Sequence, residues 1–133
     1  MESLSRNTVI KESPTHDRNV CIKELRSISD TLYVIGGQWK LSIVFSLSFG
    51  KNARFSELQR DLTPISPRVL SKELKELELN LIVEKVDLIS NVNGSTRSHK
   101  GYTLTEHGES LKPMLKVMKE WGEYHRDKLL KND

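Results

Sequence analysis

The chain has 133 residues, enough for one domain and its core but not for two. It is 36% hydrophobic and 29% charged, with 21 Lys+Arg against 18 Asp+Glu and a formal net charge of +3; this excludes wholesale disorder, and the mild basic excess permits nucleic-acid or anionic-surface binding without requiring either. Its single cysteine, Cys21, excludes an intramolecular disulfide, a CxxC redox pair and a multi-cysteine zinc site.

Residues 1–20 are polar and without period, and are expected to form a loose N-terminal arm ahead of one folded domain over 21–131. From Ile22 a helical period begins, with Leu25, Ile28, Leu32 and Ile35 at a/d spacing. Gly36 and Gly37 end it. The run from Trp39 to Ser48 is apolar on several sides and predicts a central, buried helix, stopped by Gly50. Ser56 and Gln59 have capping-box spacing and open a third, short helix that closes near Leu62.

The fourth helix has the clearest start. Ser66 suits the N-cap and Pro67 the first helical position, where a missing N–H is harmless. Leu70, Leu74, Leu77 and Leu81 form one stripe, Arg68, Ser71, Lys72 and Lys75 fall off it, and Asn80 suits the C-cap after Leu79. Two extended runs, 82–89 and 97–104, flank Asn93-Gly94, a type I′ hairpin signal. Counting outward from that turn pairs Asp87 with Lys100 and Val83 with Leu104. Thr105 suits the cap of a last helix reaching Leu130. Pro113 lies inside it, so the helix either starts near Ser110 or kinks at the proline.

Helix, turn, helix and β-ribbon in this order form a winged helix-turn-helix, whose second helix has the width of the DNA major groove. The expected fold class is mainly α with a small β-hairpin (α+β). Ser66 and the first amides of the fourth helix face a phosphate. Arg68, Ser71, Lys72 and Lys75 face bases or phosphates, and Arg54, Arg97 and Lys100 face flanking backbone; the bland reading of each cation is a solvated surface residue. Glu76 and Glu78 repel phosphate and tilt the far end of the helix away. No P-loop, GxGxxG, H-E-x-x-H or G-x-S-x-G pattern is present, so no enzyme, cofactor or metal is expected. Cys21 has two readings: a small hydrophobe, or a redox sensor whose thiolate is favoured near a helix N-terminus beside Lys23.

The segments Ile35-Gly36-Gly37-Gln38-Trp39-Lys40, Arg54-Phe55-Ser56-Glu57-Leu58, Ile65-Ser66-Pro67-Arg68-Val69-Leu70-Ser71, Leu74-Lys75-Glu76-Leu77-Glu78, Tyr102-Thr103-Leu104-Thr105 with Gly108, and Trp121-Gly122 together resemble the HxlR-type winged-helix transcription regulators. The resemblance covers about residues 21–126. It implies a bacterial, DNA-binding homodimer joined through its first and last helices. That agrees with the stripes at Leu25, Ile28 and Leu32 and at Leu111, Leu115, Met118 and Trp121, whose bland reading is intramolecular core. The expected partner is double-stranded DNA carrying an inverted repeat, the expected location the cytoplasm. The competing reading is a winged-helix module that binds protein rather than DNA, supported by the small net charge and the acidic later half of the fourth helix.

Overall fold

The computed structural model describes residues 8–12 and 17–131. Part of the expected polar arm, 1–7 and 13–16, including His16, lies outside the described residues. The elements run α1 (Arg18–Ile35), α2 (Lys40–Gly50), β1 (Asn52–Arg54), α3 (Phe55–Asp61), α4 (Pro67–Leu79), β2 (Val83–Val92), β3 (Ser95–Leu104), α5 (Glu106–Glu109) and α6 (Lys112–Lys131).

The core is aliphatic and centres on α2 and α4. Ile43, Val44 and Leu47 of α2 meet Leu70, Leu74 and Leu77 of α4, with Leu58 of α3, Ile65 of the turn, and Ile82, Val83 and Leu104 closing the ends. The spacing of Leu70, Leu74 and Leu77 puts all three on one helix face. Leu81, expected to extend that stripe, is instead 68% exposed. The helix has already ended at Asn80, Leu81 turns the chain with φ 65°, and Ile82 takes the buried place. In α2 the burial is one-sided: Phe45 and Phe49 stay on the open side, stacked edge to face at 4.8 Å.

Helix boundaries follow their caps. α1 starts at Arg18, four residues before the period at Ile22, because the Asp17 carboxylate accepts from the amides of Asn19 and Val20. Gly36 ends it in an extended conformation, and Gly37 takes the positive φ of 97° that favours glycine. α2 runs through Gly50 and stops at Lys51, whose φ is 67°. The box expected from Ser56 and Gln59 is not formed. α3 starts at Phe55, so Arg54 is the N-cap and the Glu57 side chain accepts from its amide at 2.8 Å. α4 matches its expected bounds, with the Val69 amide donating to Ser66 Oγ at 3.2 Å. Pro113 falls in the first turn of α6, and Thr105 caps the separate short α5.

The sheet has three antiparallel strands in the order β1-β3-β2. The hairpin has the register counted from the sequence, with Val83 opposite Leu104 and Asp87 opposite Lys100. Asn93 and Gly94 both carry positive φ, as a type I′ turn requires. Ten-residue strands are about 33 Å long, so the hairpin reaches well past the core, and residues 91–98 at its tip are all exposed. β1 is a three-residue strand whose Asn52, Ala53 and Arg54 pair with Thr103, Tyr102 and Gly101. Its shortness leaves no alternating pattern to read.

Thr105 ties the link between α4 and β2 to α5: its hydroxyl donates to the Leu81 and Ile82 carbonyls and accepts from the Gly108 amide. The approach is so close that a Cβ on Gly108 would lie 2.1 Å from the Ile82 carbonyl oxygen. Gly108→Ala is expected to cost about 2 kcal/mol or more by urea unfolding at fixed protein concentration. Gly50→Ala, whose Cβ meets nothing within 4 Å, is expected to change stability by less than about 0.5 kcal/mol.

Candidate nucleic-acid interface

Arg68, Ser71, Lys72 and Lys75 stand at i, i+3, i+4 and i+7, a single stripe on α4. All four are exposed, and Leu70, Leu74 and Leu77 opposite them are buried to 1% or less. The helix is thus held by its leucines and shows its cations. At its N-terminus most amides are already used. Pro67 has none, Val69 donates to Ser66 Oγ and Leu70 to the Ser66 carbonyl. The amide this end offers an anion is that of Arg68, beside the exposed Ser66 hydroxyl.

The acidic residues of α4 are placed otherwise than their order in the chain suggests. Glu73 does not face outward. It sits on the leucine side, 8% exposed, with Oε2 2.6 Å from Lys40 Nζ at the start of α2. Glu76 Oε2 lies 3.4 Å from the same ammonium and 3.8 Å from Lys72 Nζ. Sequence reasoning missed this pair. Its signal was Glu73 in an apolar stripe, where a carboxylate requires a buried cation. Burial pushes the Lys40 ammonium pKa down, but hydrogen bonds and charge from Glu73, then Glu76, outweigh it and hold the group above the ordinary lysine value.

The remaining candidates surround the sheet. Arg54 is half-buried at the junction of β1 and α3, and Arg97 is exposed on the outer half of β3. Lys100 pairs across the hairpin with Asp87 at 2.7 Å, and both are largely exposed, so this pair is worth little and exchanges readily for a phosphate. Arg97 and Lys100 are three residues apart on one strand and point to opposite faces of the ribbon. They do not form one clamp.

Cys21 lies one turn inside α1, half-buried, with its amide donating to the Asp17 carbonyl at 3.1 Å. Two of the amides ahead of it, those of Asn19 and Val20, donate to the Asp17 carboxylate. Of the expected dimer residues, Leu25, Ile28, Leu32, Met118 and Trp121 are exposed, whereas Leu111 and Leu115 pack partly onto the core of their own chain. Among the described residues no group of His, Cys, Asp and Glu is placed to hold a metal, and no single helix is long and apolar enough to cross a membrane.

A buried helix presenting cations, preceded by a short helix and followed by a protruding hairpin, defines a winged helix-turn-helix protein of the DNA-binding class. The profile of the HxlR-like helix-turn-helix family matches residues 34–129, and the chain belongs to that family. It is 39% identical over 107 residues to YybR of Bacillus subtilis, an HTH-type transcriptional regulator, covering 80% of this chain and 81% of that one. Among solved structures it is similar to the redox regulator HypR in its reduced form (TM-score 0.65, 35% identity, 79% of this chain and 98% of that chain). It is also similar to a MarR-family transcriptional regulator from Enterococcus faecalis V583 (TM-score 0.61, 30% identity, 91% and 99%). The protein is a DNA-binding transcriptional regulator and not an enzyme.

The Lys40 pair carries a pH signature. A lysine whose native pKa is raised contributes stability that is complete below its unfolded pKa and is lost as pH climbs through the native value. Lys40→Met leaves Glu73 without its partner and is expected to cost about 3–5 kcal/mol at neutral pH. In denaturant titrations at increasing pH, the gap between wild type and Lys40→Met is expected to narrow only above the ordinary lysine range.

Proposed function

We propose that the protein binds an inverted-repeat DNA site as a homodimer, in the cytoplasm. α4 lies in the major groove and the β2–β3 hairpin rests on the flanking backbone or minor groove. The observation that carries this reading is the division of α4 into a buried leucine face and an open stripe of Arg68, Ser71, Lys72 and Lys75. Ser66 and the Arg68 amide meet a phosphate, and Arg54, Arg97 and Lys100 add backbone contacts on separate sides of the ribbon. The competing protein-binding reading drew on the small net charge and on the acidic half of α4. It loses support because Glu73 is buried and neutralised and Glu76 is shared between two lysines.

Dimerisation is supported by what the single chain leaves uncovered. α6 has 20 residues and buries none of them fully, and α1 fully buries only Ile35. Helices in proteins draw most of their stability from packing an apolar face. Both have such a face in the open, with Leu25, Ile28 and Leu32 on α1 and Met118, Trp121 and Leu129 on α6. An open groove of about 1000 Å³ between α2, α3 and α6, lined by Phe45, Phe49, Leu62, Leu115 and Met118, continues that surface. A second copy covers these faces and sets two α4 helices for successive turns of one duplex.

Two measurements test this. In sedimentation the wild type is expected at twice 15.3 kDa, and Ile28→Glu with Trp121→Glu at the single mass. In fluorescence anisotropy against a duplex enriched from a random library, Arg68→Ala with Lys72→Ala is expected to lose about 1–3 kcal/mol per base contact and to flatten the salt dependence by about one for each phosphate contact removed. Undiminished binding by the folded double variant rejects α4 as the reading element.

A further inference from the structure

Lys40 and Glu73 are buried charges that make no contact with DNA in the arrangement above, and each is placed against its own interest. Lys40 is the first residue of α2, where the helix dipole disfavours a cation. Glu73 stands among Leu70, Leu74 and Leu77, where an aliphatic side chain would pack. A buried ion pair adds little stability over apolar residues of the same volume. What it does add is register. Apolar packing alone loses uniqueness before it loses stability, whereas a 2.6 Å charged hydrogen bond between two buried groups tolerates little displacement.

We propose that Lys40 is a positioning residue for DNA recognition: held by Glu73 and Glu76, it fixes the roll of α4 on α2 and thereby the direction in which Arg68, Ser71 and Lys72 leave the protein. This rests on the DNA-binding reading. Side chains ride at a radius of roughly 5–6 Å from a helix axis, so a roll of about 10° displaces their tips by about 1 Å. Such a displacement disrupts hydrogen bonds to base edges while leaving attraction to phosphates nearly intact. Lys40 has a second effect through Glu76, one of whose oxygens serves both Lys40 and Lys72. When Lys72 leaves for a phosphate, Glu76 keeps a cation beside it, so release of Lys72 does not strand a half-buried carboxylate.

The test compares wild type with Lys40→Met/Glu73→Met, which replaces the buried pair by apolar side chains and leaves Glu76 paired with Lys72 alone. Each is titrated with a duplex enriched by the wild type from a random-sequence library and with the unselected library. Thermal melting checks the fold. The folded double variant is expected to lose about tenfold or more in affinity for the enriched duplex and to stay within about twofold on the unselected pool. An unchanged ratio between the two overturns the positioning role and leaves the DNA-binding reading standing. Should the double variant fail to fold, Glu73→Gln keeps the volume and removes the charge; it is expected to lower the same ratio, and an unchanged ratio overturns the role. A wild type that enriches no duplex overturns the DNA-binding reading and this inference with it.

Discussion

The packing of α4 on α2 determines where the candidate contacts carried by α4 stand. Leu70, Leu74 and Leu77 lie against Ile43, Val44 and Leu47 with almost no exposure, and burying each such side chain is worth about 1.5–3 kcal/mol. Because the leucines and the cationic stripe share one rigid helix, whatever orients the first orients the second. A helix presented this way needs no rearrangement to meet a groove, so the ordering cost of binding is small. The Lys40–Glu73 pair sits at the edge of the same contact and adds direction to what the aliphatic surfaces supply in energy.

The second constraint is one that the single chain does not satisfy. α1 and α6 carry apolar residues at helical spacing and leave most of them in the open, while the core beneath α2 and α4 is closed. The molecule thus separates into a winged unit that is complete and two helices that are not. This separation suits a regulator. In the proposed dimer the terminal helices bind a like partner, and the winged unit stays free to face DNA. The partial packing of Leu111 and Leu115 on their own core anchors the start of α6, while the rest of the helix stays open.

How much of this was legible in the sequence depended on how local the cause was. Ser66-Pro67 fixed the start of α4 and Asn93-Gly94 fixed the hairpin register, since both act within a few residues of themselves. The start of α1 was set by Asp17, a cap lying outside the apolar period, and α3 by Glu57 reaching back to Arg54 rather than by Ser56. Leu81 failed as a member of the leucine stripe because it lies past the end of α4, which Asn80 marked correctly; there the chain turns with φ 65° and Ile82 takes the buried place. β1 was illegible because its three residues exist as a strand only by pairing with β3. The candidate stripe on α4 was legible because one helix carries all of it. The Lys40–Glu73 contact was not, because it joins residues 33 apart that meet only once the core has formed.

The central claim is that α4 enters the major groove with its Ser71 side outward. It is tested most directly by placing a cleaving reagent there. Ser71→Cys in a Cys21→Ser background, coupled to an iron chelate that cuts DNA at short range, is mapped on an enriched duplex. The account predicts two clusters of cuts centred on the major groove and separated by one helical turn, about 34–36 Å, or a multiple of it. Cuts that fall only when the chelate is moved to the hairpin tip at Ser95→Cys, with none from position 71 in a protein that still binds, would contradict it.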